Sequence, residues 1–344
     1  MTVPAERPTR DVPAHAVSPR DRWLELGLRV VQAGPVLILG LLVVVMTLLS
    51  PYFLTERNLT NLGFQTSVVA VLALGQLLVI LTRGIDLSVG SVVALAGVLG
   101  VLAGDSGLLV VATMVLAGAL VGAINGLVLV KGRVMNPFIV TLGTLSIVRG
   151  AALVVSDAQT VAGLPPLVVA FGTDRVGPVP VPALLVAVLA AATWVLLTRT
   201  QWGRWIYAVG GNPEAARRVG IPVDRLLMSV YVMCGAAAGV AGLLVAGRTD
   251  AGSPNAGQLL ELDSITAVII GGASFFGGRG NVGNVVAGAL IIGVIRNGLN
   301  LLDVTPFWQS IAIGTLVIVS LELDVLRGHL ERRMRIAQTR SAER

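Results

Sequence analysis

A single cysteine, Cys234, and two histidines, His15 and His329, are all that this chain of 344 residues holds of the side chains most used for thiol, metal or base chemistry. One thiol inside an apolar run makes neither a disulfide frame nor a thiolate metal site. Both histidines lie in polar ends of the chain, so an enzyme working inside the membrane would lack its base and its ligands. Charge is scarce too. Asp, Glu, Lys and Arg make up 13% of the residues, against about 25% in a soluble domain. Aromatic residues are only 4%, and the basic residues form no stripe, which leaves no platform for nucleic acid. Neither a cofactor nor a metal is expected.

What the chain has is apolar surface. Hydrophobic residues are 55% of the total and the mean hydropathy is +0.85, a composition that calls for lipid as solvent. Ten apolar runs can be marked. They are Gly34–Leu49, Phe64–Thr82, Leu87–Ala103, Leu108–Val130, Pro137–Val155, Val181–Thr198, Leu226–Gly247, Ile265–Phe276, Val282–Leu302 and Phe307–Leu323. Leu87–Ala103 and Ile265–Phe276 are short for a crossing and read as half-helices or re-entrant elements. The expectation is an all-α, polytopic membrane helix bundle of about ten transmembrane segments, with eight full spans and two partial ones as the alternative.

The first long run begins only near Gly34 and no small-residue cleavage site follows it, so a secretory signal is not expected. Ahead of it, PRDRWLELGLRVVQ (Pro19 to Gln32) sets Trp23, Leu26 and Val30 at helical spacing among charges. It reads as a helix lying on the membrane surface, or as an extension of the first span. The division that follows is an N-terminal tail over 1–33, a transmembrane domain over 34–324, and a basic tail over 325–344.

Orientation follows from the arginines. With a cytoplasmic N-terminus and ten crossings, only Arg57, Arg175 and Arg248 fall outside, while Arg149 and Arg296 lie within segments. The remaining twenty of the 25 basic residues lie inside, as the positive-inside rule requires. Both termini are then cytoplasmic, and residues 156–180 and 248–263 form the sizeable outer loops.

Four stretches carry more than hydropathy. GGNPEAARRVGIP, from Gly210 to Pro222, reads as a capped helix of about two turns. Asn212 is its N-cap, Pro213 its first residue and Glu214 sits at the positive end of its dipole. Arg217 and Arg218 sit at the negative end, and Gly220 takes the left-handed stop. So short a helix needs something to lean on. LTRGIDLSVGS, from Leu81 to Ser91, sets Asp86 to cap a helix starting at Leu87, with Ser88 in its first turn. A carboxylate there suits a cap or a place beside a solute pathway.

NPFIVTLGTLSIVRG, from Asn136 to Gly150, repeats the device with Asn136 as cap. Thr141, Thr144 and Ser146 then give that helix a hydroxyl-bearing face, suited to a wet path or to close packing. GGASFFGGRGNVGN, from Gly271 to Asn284, lacks the lysine of a phosphate loop and reads as a tight turn between helices. Arg149 stands near a segment end where it can snorkel. Arg296 is followed by Asn297 and Asn300 and can face a polar interior. Asn125 is a further polar group within an apolar run.

Taken together, GIDLSVGS, NPFIVTLGTLSIVRG, GRWIYAVGGNPEAARRVGI and TAVIIGGASFFGGRGNVGNVVAGALIIGVIRNGL resemble the permease subunits of bacterial ribose-type ATP-binding-cassette importers, over roughly Leu59 to Leu323. The resemblance implies a membrane pathway built by two permeases, identical or different, driven by cytoplasmic ATPases and fed a monosaccharide by an extracytoplasmic binding protein. It also implies that Gly211, Asn212, Pro213, Glu214, Ala215, Ala216, Arg217 and Gly220 are the coupling helix, over 212–220, that docks in a cleft of the ATPase. Candidate pathway residues are Asp86, Ser88, Asn125, Asn136, Thr141, Thr144, Arg296 and Asn297. Two other readings stay open on the residues alone. One is an importer permease for another solute, such as a branched-chain amino acid, a nucleoside or a signalling sugar. The other is an ion-coupled secondary transporter, for which Asp86 is the sole candidate carboxylate.

Overall fold

A computed structural model of the chain describes residues 34–132, 136–322 and 325. The chain divides at Gly34–Pro35, and apart from Gly34 the described residues lie in the second unit. The surface helix expected at Pro19–Gln32 and, except for residue 325, the basic tail fall outside them. Thirteen helices are described: α1 (Gly34–Leu49), α2 (Glu56–Leu81), α3 (Val89–Leu102), α4 (Gly107–Lys131), α5 (Pro137–Val155), α6 (Pro166–Thr173), α7 (Val181–Arg199), α8 (Gln201–Gly211), α9 (Pro213–Arg218), α10 (Val223–Thr249), α11 (Leu260–Ile270), α12 (Val282–Leu301) and α13 (Pro306–Glu322). Among the described residues six, α2, α4, α5, α7, α10 and α12, are long and apolar enough to cross a membrane. The chain is a helix bundle of membrane type.

Each apolar run coincides with a helix, and the differences have local causes. Helix α2 begins at Glu56 rather than near Phe64, because the Thr55 hydroxyl accepts from Asn58 N and Glu56 meets the positive dipole end. Helix α3 begins at Val89 rather than Leu87: the Asp86 carboxylate accepts from Ser88 N at 2.9 Å and holds Leu87 and Ser88 outside the helix. Helix α11 stops at Ile270, six residues short of Phe276, where Gly271 and a left-handed Gly272 (φ +78°) turn the chain. Its 11 residues span about 16 Å, roughly half of a bilayer core of about 30 Å.

The bundle is held by small-residue contacts. Gly118, Gly122 and Gly126 form a stripe on α4, one residue per turn, and Gly235 and Gly239 form its counterpart on α10. A Cβ on Gly118 would lie 2.1 Å from the Gly235 carbonyl oxygen, and one on Gly235 would lie 2.1 Å from that of Gly118. Backbone therefore meets backbone, and α4–α10 is the most extensive helix pair. Without a hydrophobic driving force between helices in lipid, such close approach supplies the packing energy. Helix α2 runs through the middle, buried along nearly its whole apolar length.

At one end of the bundle the two long loops fold on each other. Strand β1 (Val161–Ala162) pairs antiparallel with β4 (Ala251–Gly252), and β2 (Arg175–Val176) pairs with β3 (Val179–Pro180). Asp250, with φ +51°, accepts from Leu164 N at 2.8 Å. Arg149 reaches toward these loops. Its Nη1 donates to the carbonyls of Pro254 and Ala256, each at 2.7 Å, and holds the turn before α11. This loop end carries the starts of α2 and α11 and the ends of α10 and α12. Helices α8 and α9 lie at the opposite end.

Candidate functional site

At that opposite end, Asn212 accepts from both Glu214 N and Ala215 N at 3.0 Å, and Pro213 opens α9 where no donor is needed. Helix α9 is six residues long, slightly shorter than expected. Gly220, with φ +85°, ends it in the conformation that favours glycine. Arg217 pairs with Asp224 at the start of α10, with both side chains more than half exposed. Of its residues Ala216 alone is buried; Gly211, Asn212, Glu214, Ala215, Arg217 and Gly220 are exposed, and Pro213 is half-buried. The rod leans on the protein through Ala216 and displays the rest of its surface. Val219, 77% exposed, adds an apolar side chain beside it.

What fixes the rod's base is a clamp absent from the sequence reading. Arg83 Nε donates to Gly210 O at 2.7 Å, and its Nη2 donates to Gly211 O. The guanidinium thus satisfies orphan carbonyls at the negative end of α8. Gly278 N donates to Leu81 O at 3.0 Å, and Tyr207 OH to Gly280 O at 2.8 Å. Burial raises the Tyr207 pKa, which keeps the phenol protonated and able to donate. A Cβ on Gly210 would lie 1.8 Å from Leu81 O and 2.5 Å from Gly278 N. Helix α8 is therefore seated directly on the end of α2 and on the glycine turn that leads into α12. No local sequence signal pairs Arg83 with Gly210, since 127 residues separate them.

Four of the predicted polar residues come together within the bundle. Ser88 Oγ donates to Asp86 at 2.6 Å, and Asn125 Nδ2 donates to Ser88 Oγ at 2.9 Å. The Thr141 hydroxyl donates to Ile85 O at 3.2 Å, as does Tyr231 OH at 3.4 Å. Gln76, which sequence reasoning missed, exchanges hydrogen bonds with the Asp86 backbone. Asp86, Ser88, Asn125, Gln76 and Thr141 are all 0–1% exposed. The cluster joins α2, α4, α5 and α10 around the extended start of α3. Thr144 returns its hydroxyl to Val140 O at 3.0 Å. Asn136 accepts from Phe138 N as the α5 cap and lines a cavity of about 330 Å³ with Arg83, Ile85 and Phe275.

The remaining two residues diverge. Asn297 forms a reciprocal amide pair with Asn58, at 2.9 and 2.7 Å, which ties α12 to α2. Arg296, a helical step of about 100° away, faces elsewhere. Its Nη2 donates to both carboxylate oxygens of Asp263, at 2.9 and 2.7 Å. Asp263 is fully buried while the Arg296 side chain is 32% exposed to a groove of about 430 Å³. Gln65, Arg248, Asn300 and Gln309 also line that groove, which opens at the loop end. An acidic residue opening an apolar run was the available signal for Asp263; its partner 33 residues away was not legible.

Residues 58–321 match the family described as branched-chain amino acid transport system / permease component. The chain belongs to this permease family. Within it, the permease is similar to the D-allose transport system permease protein of Escherichia coli (strain K12), with 43% identity over 298 residues, 85% of this chain and 91% of that one. It is similar to the ribose import permease protein of Bacillus subtilis (strain 168), 40% identical over 296 residues, 85% of this chain and 92% of that one. The fructose import permease protein of Rhizobium meliloti is 38% identical over 308 residues, 85% and 84% of the two chains. No solved structure matches the permease.

Proposed function

We propose that this permease carries a monosaccharide across the bacterial inner membrane as the membrane subunit of an ATP-binding-cassette importer. It is a transport component and not an enzyme: a separate ATPase hydrolyses ATP, and an extracytoplasmic binding protein delivers the sugar. The observation that carries the reading is the likeness, over more than four-fifths of the chain, to relatives named as sugar permeases. A second permease subunit, identical or different, completes the pathway. Ten crossings with both termini cytoplasmic put α9 on the cytoplasmic face, within reach of the ATPase.

The clamp supports a mechanism. In our reading, ATP binding closes the ATPases and moves α9, biasing the permease toward one of two conformations. Because Gly210 leaves no space between α8, α2 and the glycine turn, displacement of the rod is handed to α2 and α12. Those helices reach the groove at the other end, where they present Gln65, Arg296 and Asn300. The exposed surface of α9, with Glu214 and Arg217 and with Val219 beside it, suits a partner's cleft better than a lone helix in water.

The test is reconstitution of the permease with and without its ATPase and binding protein. Sugar uptake should require all three and ATP, whereas uptake driven by an ion gradient without an ATPase would sink the reading. Glu214→Lys combined with Gly220→Val should abolish ATPase co-purification and uptake while membrane insertion persists. Valine at φ +85° costs about 1–2 kcal/mol of backbone strain. Unchanged co-purification would remove the coupling role of α9.

A further inference from the structure

Among the described residues the groove at the loop end differs in kind from the other polar clusters of the bundle. Two ionised side chains in an apolar helix pair are costly, and a pair kept only for stability is often replaceable by packed apolar residues. Here the pair is asymmetric. Asp263 is sealed at the back, and Arg296 stands in front of it, one-third exposed to the groove. Arg296 Nε is buried without a hydrogen-bond partner, although a guanidinium has five donors to satisfy. Around it lie amides from other helices. Gln65 is exposed on α2, and Gln309 at the start of α13 donates to Asn300 Oδ1 at 2.7 Å. On the far wall Arg248 lies over the Phe64 ring, 4.7 Å from its centroid. Polar side chains on a membrane bundle that border one shared space mark a water-filled route.

The volume and the distribution of these groups narrow the ligand. About 430 Å³ falls in the range of small-molecule pockets, roughly 300–1,000 Å³. An amino acid carries its charges at one pole and needs an apolar pocket at the other. A sugar ring carries groups that both donate and accept all round its rim. The groove can take such a ring: donors from Arg296 and Arg248 and amides from Gln65, Asn300 and Gln309 converge from α2, α10, α12 and α13, and Phe64, Val68 and Val245 give an apolar wall for its C–H face.

We propose that this groove is the permease's own sugar-contact site, with Arg296, held in place by Asp263, and Gln65 hydrogen-bonding the hydroxyls of a neutral monosaccharide as it leaves the binding protein. The assignment rests on the sugar-permease reading above. It makes the permease a second selectivity filter behind the binding protein, located in side chains from four helices.

The experiment uses the complete reconstituted complex and a labelled panel of pentoses, hexoses and branched-chain amino acids. Gln65→Leu removes an exposed amide without touching the ion pair, and Arg296→Lys keeps the charge while losing the fork. Both variants should assemble with the ATPase. Each should lower ATP-driven sugar uptake about tenfold and alter the ranking among sugars, as expected when one hydrogen bond to the solute is lost. In a parallel arm, Gln65→Cys supplies an accessible thiol in a chain whose native Cys234 is buried. A transported sugar should slow its modification by a charged thiol reagent, and branched-chain amino acids should not. Wild-type sugar transport, with both variants keeping its rates and ranking and no protection at position 65, would overturn the groove assignment and leave the permease reading standing. A wild-type complex that moves amino acids and no sugar would overturn both.

Discussion

Among the described residues two carboxylates, Asp86 and Asp263, are buried among the helices, and they live differently. Asp86 is sealed: Ser88 and Asn125 donate to it, Gln76 holds its backbone, and nothing in the cluster faces open space. Asp263 is sealed only from behind, with Arg296 between it and a groove. The sequence offers the same residue type at a helix start in both cases. What separates them is whether a partner borders open space. A cluster closed off within the bundle braces the fold, whereas one whose charged partner lines a groove can serve a solute.

Substitutions can break or sharpen that contrast. The largest effect is expected for Asp86→Ala, which strands the buried Ser88 hydroxyl and Asn125 amide. It should cost about 3 kcal/mol and lower the unfolding temperature of the detergent-solubilised protein, with transport lost only as folded protein is lost. A stable Asp86→Ala permease that no longer transports would move Asp86 from the brace to the pathway.

Replacing the other pair as a unit should behave in the opposite way. Arg296→Met with Asp263→Leu should hold stability within about 1 kcal/mol, because packed apolar residues often replace a buried pair at no cost. ATP-driven uptake by the same double variant should fall at least tenfold. Equal loss of stability and transport would erase the distinction between the clusters. The smallest effect belongs to the exposed pair of Arg217 and Asp224. Arg217→Gln should change thermal stability by about 0–1 kcal/mol, since solvent screens that bridge. A larger shift would mean that the rod is anchored by charge as well as by Ala216.

Much of this arrangement is written in local patterns. The end of α1 at Leu49 and both ends of Pro137–Val155 are legible to the residue, because Leu49 is followed by Ser-Pro and Asn136-Pro137 is a capped start. The rod is legible for the same reason: its cap, first-turn proline and stop glycine lie within nine residues. Local pattern also explains the misreadings. The polar first turns of α2 are helical although they break the apolar run, because Thr55 caps them. The glycine run after Ile270 ends α11, although Phe275 and Phe276 prolong its hydropathy. The pairing of β1 with β4 joins loops that lie about 90 residues apart, so no turn signal could announce it.

Hydropathy, scarce charge and the caps by themselves determined that this chain is a stack of apolar helices with one short polar rod, because each of those features is set by neighbours within a turn or two. Only the tertiary structure decided that Arg83 clamps that rod to α2, that Asn297 turns to Asn58, and that Arg296 meets Asp263 at the wall of a groove. Those outcomes depend on which helix faces lie against each other, and glycine contacts such as Gly118 against Gly235 settle that at distances the linear order of residues does not encode.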